Sequence, residues 1–125
     1  MQREIKCRGL LVSGEWVYGS LLKWNGYAQI IKHRLMLNNN WQIDRLYVIT
    51  STVGEFTGLK DINDAEIYEG DIISNSAATF VVVFNKGCFC FRLITGEQKE
   101  TELALRALVG GAVIGNIHEN PYLLE

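Results

Sequence analysis

Three features of the sequence predict a mostly-β fold. Its apolar segments are short and rich in β-branched and aromatic residues, which are strong strand formers. Glycine and asparagine separate these segments at positions typical of tight turns. Hydrophobic residues make up 48% of the chain, which is too many for a disordered protein, and no heptad pattern persists that would indicate a coiled coil.

The N-terminal part contains three predicted strands. The first, over residues 15–22, follows a Ser13-Gly14 turn signal. The next two, over residues 27–36 and 41–49, flank a run of asparagines at 38–40. This arrangement predicts a hairpin with a short loop.

The C-terminal part contains the clearest hairpin of the sequence. Its predicted strands cover residues 79–84 and 88–93. Asn85 and Gly87 lie between them and are expected to supply the left-handed conformations of a tight turn. A final strand is predicted over residues 112–117.

Residues 101–109 fit two structures. Apolar residues at alternate positions favour an edge strand. Leu, Ala, Glu and Arg are good helix formers, and Thr101 is a suitable N-cap for a short helix. Of the two, the alternation favours the strand.

Charge and aromatic residues divide the chain near position 50. Residues 1–50 carry a net charge of +4 and all three tryptophans, whereas residues 51–125 carry −6 and all five phenylalanines. We therefore expect an N-terminal β segment over residues 1–50 and a second domain over residues 51–125.

The sequence is typical of a cytoplasmic protein. Its first eight residues are half charged and no apolar segment follows them, so a signal peptide is not expected. No apolar run approaches the ~20 residues that a membrane-spanning helix needs. Three cysteines are an odd and sparse set, unlike a secreted disulfide framework.

Two motifs resemble the YopX family of phage and prophage proteins. They are TVGEFTGL at 52–59, followed by IYEGD at 67–71, and IGNIHENP at 114–121. The departures are Glu55, where the family usually has Gln, and Tyr122, where an acidic residue is common. The resemblance implies an SH3-like barrel over residues 51–125. It implies no activity, because the family has no established biochemical function.

The motif residues have a structural interpretation. Glycines permit turns and close approaches that a Cβ would block, and Asp and Asn side chains bond neighbouring backbone N–H groups. We expect the following residues to shape turns and to close the barrel: Gly54, Gly58, Tyr68, Gly70, Asp71, Gly115, Asn116, Asn120 and Pro121.

No catalytic or metal-binding pattern is evident, so we expect no enzymatic activity and no cofactor. The acidic residues at 61–71 depart from the calcium loop of an EF-hand, because Ala65 and Glu66 stand where that loop needs an oxygen ligand and a glycine. Cys88 and Cys90 lack a second pair for zinc and are expected to be buried. Of the two histidines, His118 beside Glu119 is a weak candidate for acid–base chemistry, because neighbouring strand residues point to opposite faces.

The N-terminal part holds a basic and aromatic group of residues. Cations attract phosphates and exposed rings stack on unpaired bases, so the group is a candidate site for single-stranded nucleic acid. Packing of these rings in the core or at a subunit interface is the simpler interpretation. We therefore expect a protein-binding module that binds itself or a phage or host protein, with nucleic-acid binding as the alternative. The candidate residues are Lys23, Trp24, Tyr27, Lys32, His33 and Arg34.

Overall fold

The computed structural model describes residues 4–76, 78–94, 102–104 and 110–124 and divides the chain into two units, Met1–Phe56 and Thr57–Glu125. Eleven strands and two short 3₁₀ turns, at Thr50–Thr52 and Pro121–Leu124, make up the described secondary structure. The strands are β1 (Cys7–Leu10), β2 (Trp16–Trp24), β3 (Tyr27–Leu35), β4 (Trp41–Val48), β5 (Gly54–Lys60), β6 (Glu66–Tyr68), β7 (Asp71–Ser74), β8 (Thr79–Asn85), β9 (Cys88–Leu93), β10 (Glu102–Ala104) and β11 (Ala112–Asn116).

The N-terminal unit is an antiparallel sheet in the order β4-β3-β2-β1-β5. Its core lies on one face, where Val17, Ala28, Ile30 and Val48 are buried together. Gly9 is part of this packing, because a Cβ there would lie 2.7 Å from a methyl group of Val48. Val17 and Val48 alternate with exposed or half-buried neighbours, whereas Gln29, between Ala28 and Ile30, is itself buried.

The C-terminal unit begins within β5, whose later residues neighbour β6, and its second sheet has the order β10-β9-β8-β7-β11. A separate core fills this unit, built on Ile67, Ile73, Phe80, Val82 and Phe91. Phe80 and Phe91 contact each other across two strands, with ring centroids 5.7 Å apart. Because each unit has its own buried cluster, each has its own source of hydrophobic stabilisation.

Two-residue turns close two of the hairpins. Asn25 and Gly26, with φ of 50° and 86°, connect β2 to β3. Lys86 and Gly87, with φ of 52° and 82°, connect β8 to β9. The expected left-handed conformation at Asn85 is wrong, because this residue pairs with Cys88 as the last pair of the ladder. The strand twist then requires positive φ at both residues between them.

The mostly-β prediction is confirmed. Each predicted strand of the two hairpins, over residues 27–49 and 79–93, is present. The final strand is also present, over Ala112–Asn116. Of residues 101–109, Glu102–Ala104 form a strand that pairs with β9, and the remainder lies outside the described residues. The strand order of the C-terminal sheet is compatible with an SH3-like barrel, and its closure into a barrel stays a prediction.

Candidate functional site

The sheet of the N-terminal unit has one face that its own core leaves uncovered. Side chains alternate between faces along a strand, and cross-strand partners share a face. Trp24 pairs with Tyr27, Gln29 with Tyr47 and His33 with Ile43. This face, the aromatic face below, carries Tyr18, Leu22, Trp24, Tyr27, His33, Leu35, Trp41, Ile43 and Tyr47.

The aromatic face is exposed over most of its area. Trp24, Trp41 and Tyr47 are 66%, 64% and 63% exposed, and no larger aromatic exposure occurs among the described residues. Neighbouring rings contact one another: Tyr27 and Tyr47 at 5.6 Å and His33 and Trp41 at 5.5 Å between centroids. Four of the rings therefore form two contacting pairs on one face of the sheet.

Three basic residues lie on the opposite face of the same strands, whereas Arg45 lies on the aromatic face, two residues from both Ile43 and Tyr47. Lys32 pairs with Asp44, and Arg34 pairs with Gln42. The Arg34 Nε lies 3.8 Å from Asp44 Oδ2, and Gln42 Nε2 donates to Asp44 Oδ1 at 2.9 Å. Lys23 is on this face as well, because it pairs with the core residue Ala28. The carboxylate of Asp44 thus offsets part of the positive charge.

The six residues of the predicted nucleic-acid site are therefore divided. Trp24, Tyr27 and His33 lie on the aromatic face, whereas Lys23, Lys32 and Arg34 lie on the other. The sequence contains the signal for this division. Once Asn25-Gly26 is taken as a two-residue turn, the pairing of residue 24 with residue 27 follows, and so does the face of every neighbour.

The aromatic face extends onto a hairpin arm. β2 pairs with β3 only from Ser20 to Trp24, so the end of β3 and the start of β4 form a two-stranded ribbon. A tight loop closes the ribbon, with Met36 N–H donating to Asn40 O at 2.7 Å and Asn39 at a φ of 65°. Leu37 at its tip is fully exposed.

In the C-terminal unit, the IYEGD motif forms a turn. Tyr68 and Asp71 are buried, and the Tyr68 N–H donates to Asp71 Oδ2 at 2.7 Å. Gly70 has a φ of 94°, its N–H donates to Val82 O, and its carbonyl accepts from Ile117 N–H. Gly58 also has a positive φ, of 87°, and Gly54 is buried opposite Arg8. These residues build backbone connections.

The IGNIHENP motif forms a second turn. The side chain of Asn116 accepts from the N–H groups of His118 and Glu119 at 3.0 and 2.9 Å. The side chain of Asn120 accepts from Asn116 N–H at 3.1 Å. Gly115 lies against Asn120, and Pro121 begins the last 3₁₀ turn. The oxygens of both asparagine side chains are therefore engaged by the backbone.

The acidic residues near position 61 also bind protein groups. Asp61 Oδ1 accepts from Asn63 and Ala65 N–H, and Oδ2 accepts from Val113 N–H, each at 2.8 Å. Burial raises the pKa of Asp61, but these three donors outweigh it and hold the pKa below its usual value of 3.8. Asp64 lies 3.7 Å from Lys60 Nζ. Sequence reasoning missed the link between Asp61 and Val113.

No group of three or more metal-ligating side chains occurs within residues 4–76, 78–94, 102–104 and 110–124. The expected burial of the two neighbouring cysteines is right for Cys90 and wrong for Cys88, which is exposed. Cys88 follows the β8–β9 turn directly and lies at the open end of the ladder, where no core covers it. None of the helices in the described part of the chain has the length and hydrophobicity to cross a membrane.

Comparison with known proteins relates nearly the whole chain to one family. The family model for the YopX protein matches residues 12–125. Among solved structures, the crystal structure of protein EF1440 from Enterococcus faecalis is similar, with a TM-score of 0.61 and 23% sequence identity over 99% of this chain and 100% of that one. A similarity at this identity shows the fold alone. A search of curated proteins gives no match.

Proposed function

Because this chain belongs to the YopX family, we propose that it is a non-enzymatic accessory protein of phage or prophage that acts by binding protein, most simply a second copy of itself. The observation that carries the proposal is the exposed aromatic face of the N-terminal unit. Exposed rings next to one another in water are unfavourable unless a partner covers them. Aromatic residues are also enriched at the centres of protein interfaces.

The size of the aromatic face fits a specific interface. Its five aromatic side chains other than His33 are between 40% and 66% exposed. At about 200 Å² for a whole side chain, they expose roughly 550 Å², near the upper end for the largest apolar patch on a monomer. Leu22, Leu35 and Ile43 are 39%, 55% and 61% exposed and enlarge it further. The total approaches the ~800 Å² that each partner buries in a standard interface.

The geometry favours protein over nucleic acid as the ligand. A surface for single strands needs rings and cations together, so that bases stack while phosphates are neutralised. Here Lys23, Lys32 and Arg34 lie across the sheet from the rings, and the Arg34 Nε lies 3.8 Å from Asp44 Oδ2. Arg45 is the cation that β4 contributes to the aromatic face. A protein partner needs no phosphate contact and therefore suits this face better than a single strand, which needs several cations beside the rings.

The proposal is tested by measuring the molar mass of the wild-type protein with size-exclusion chromatography and light scattering. We expect an oligomer that dissociates on dilution. Trp41→Lys places a charge on the aromatic face and should weaken association at least tenfold. Tyr122→Lys is the matched control, because Tyr122 is also an aromatic residue, is 62% exposed and lies in the other unit. A wild-type monomer at every concentration contradicts self-association.

A second measurement addresses the nucleic-acid alternative. Fluorescence anisotropy of a labelled single-stranded oligonucleotide is recorded at low salt, where phosphate contacts are strongest. We expect no saturable binding. Saturable, salt-sensitive binding that is lost in Lys32→Glu and in Trp24→Ala would favour nucleic acid instead.

A further inference from the structure

Among the strands that the structure describes, β4 is an open edge of the N-terminal sheet. It stands last in the strand order, and its eight residues pair with β3 without interruption, from Ala28–Val48 to Leu35–Trp41. Trp41, Ile43 and Tyr47 project from it and are more than 60% exposed. An edge strand of this kind presents a row of backbone N–H and C=O groups that a further strand can bind.

β4 lacks most of the features that usually protect an edge. Short length, proline, charged side chains and bulges prevent edge strands from pairing with other chains. β4 is eight residues long, has neither proline nor lysine and shows no bulge in its register, and its two charged residues, Asp44 and Arg45, are opposite in sign. The contrast within the protein is clear at β11, an edge of the other sheet, whose five residues contain a register shift between Val113 and Gly115.

We infer that two copies of this chain associate by antiparallel pairing of their β4 strands across a two-fold axis, which joins the two N-terminal sheets into one. The inference rests on the proposed self-association and assigns it a symmetry and a contact at the β4 edge, so the two aromatic faces are joined side by side and are not buried against each other. A two-fold axis perpendicular to the sheet keeps both aromatic faces on the same side, so the two patches become one continuous surface.

The side chains of β4 select the register. Such an axis passes midway between one residue and the same residue of the second copy, so these two residues face each other. The axis is named below by that residue. An axis at Asp44 or at Arg45 places like charges directly opposite each other, which is destabilising. An axis at Ile43 places Trp41 opposite Arg45 of the second copy and Gln42 opposite Asp44 of the second copy.

With the axis at Ile43, each pair of facing residues within 41–45 is favourable. Arg45 over the ring of Trp41 forms a cation–π contact, and the amide of Gln42 donates to a carboxylate. Gln42 already donates to Asp44 within one chain at 2.9 Å, so the two groups are chemically matched. An axis at Leu46 is poorer, because it sets Asp44 opposite the apolar Val48 and leaves Trp41 and Ile43 outside the pairing.

Cross-linking tests the register directly. Cys88 is the exposed native thiol and is replaced first by Cys88→Ser. In that background, Ile43→Cys places one thiol from each copy about 5 Å apart at Cβ, because cross-strand partners lie at that distance. We expect a covalent dimer on mild oxidation or with a short bismaleimide. Tyr47→Cys is the matched control: its thiol lies outside the paired segment of residues 41–45 and should not cross-link.

Charge substitutions provide a second test of β4 pairing. Ile43→Lys sets two ammonium groups on the axis and should weaken dimerisation at least tenfold, whereas Trp24→Lys, on the aromatic face but away from the edge, should change it less than threefold. Circular dichroism checks that both variants fold. If position 43 does not cross-link and Trp24→Lys weakens the dimer as much as Ile43→Lys, edge pairing is overturned while self-association stands. A wild-type monomer overturns both.

Discussion

Gly115→Ala tests whether the IGNIHENP turn depends on close packing of a backbone position against Asn120. A Cβ at position 115 would lie 2.4 Å from Oδ1 and 2.8 Å from Cγ of Asn120. The Asn120 side chain must therefore move, and the Asn116 N–H that donates to it at 3.1 Å loses its acceptor. Gly115 does not have a positive φ, so alanine fits the backbone itself.

The expected cost combines two effects. Overpacking in a close-packed site costs about 1–3 kcal/mol, and a donor left without an acceptor in a partly buried position costs about 1–3 kcal/mol. We expect Gly115→Ala to lower the free energy of unfolding by about 2–4 kcal/mol, since the two costs share one displacement and do not add fully. Asn120→Ala removes the oxygen and should cost about 1–2 kcal/mol by itself.

The double variant isolates the contact. With Asn120→Ala present, the clashing Oδ1 and Cγ are gone, so adding Gly115→Ala should cost less than about 1 kcal/mol. The assay is urea unfolding followed by far-ultraviolet circular dichroism, because all three tryptophans lie in the N-terminal unit and their fluorescence does not report on this turn. An equal cost of Gly115→Ala in both backgrounds would refute the steric explanation.

Three further changes have defined outcomes. Asp61→Ala removes the acceptor of three backbone N–H groups and should destabilise by about 1–3 kcal/mol at neutral pH. The folded-state pKa of Asp61 is lowered, so its stabilisation is present above 3.8 and is lost as pH falls through the lowered pKa; urea midpoints of wild type and variant should therefore converge in acid. Ile73→Ala empties a fully buried site and should cost about 2–5 kcal/mol in urea unfolding, against less than about 1 kcal/mol for Ile114→Ala at a half-exposed position. Lys86→Asn suits the positive φ of the β8–β9 turn better than lysine, and a thermal midpoint that fails to rise would contradict this reasoning.

Hairpins and turns could be predicted from the sequence because they depend on residues that are close together in the chain. Residues 79–93 are rich in strong strand formers and carry turn residues at their centre, so their pairing depends on neighbours in the chain. The division of the aromatic and basic residues was predictable by the same logic, since the turn at Asn25-Gly26 sets the register of β2 against β3. The prediction grouped these six residues by their proximity in the sequence and did not consider which face of the sheet each one occupies.

Contacts between distant segments were not predictable in this way. Asp61 and Val113 are 52 residues apart, and nothing near either one specifies the other. The open edge of β4 likewise follows from the order of all the strands in its sheet, which no single segment encodes. Contacts between distant segments and the strand order depend on how the complete chain packs, so they could not be predicted from short segments of the sequence.

The link between Asp61 and Val113 has a consequence for the order of folding. Two backbone segments meet there, because Ile62 N–H also donates to Gly111 O at 3.1 Å. Closing a loop of this length carries a large entropic cost, which is recovered only after the intervening hairpins have formed. We therefore expect the junction to form late in the assembly of the C-terminal unit. Weakening it should accelerate unfolding while leaving the refolding rate nearly unchanged.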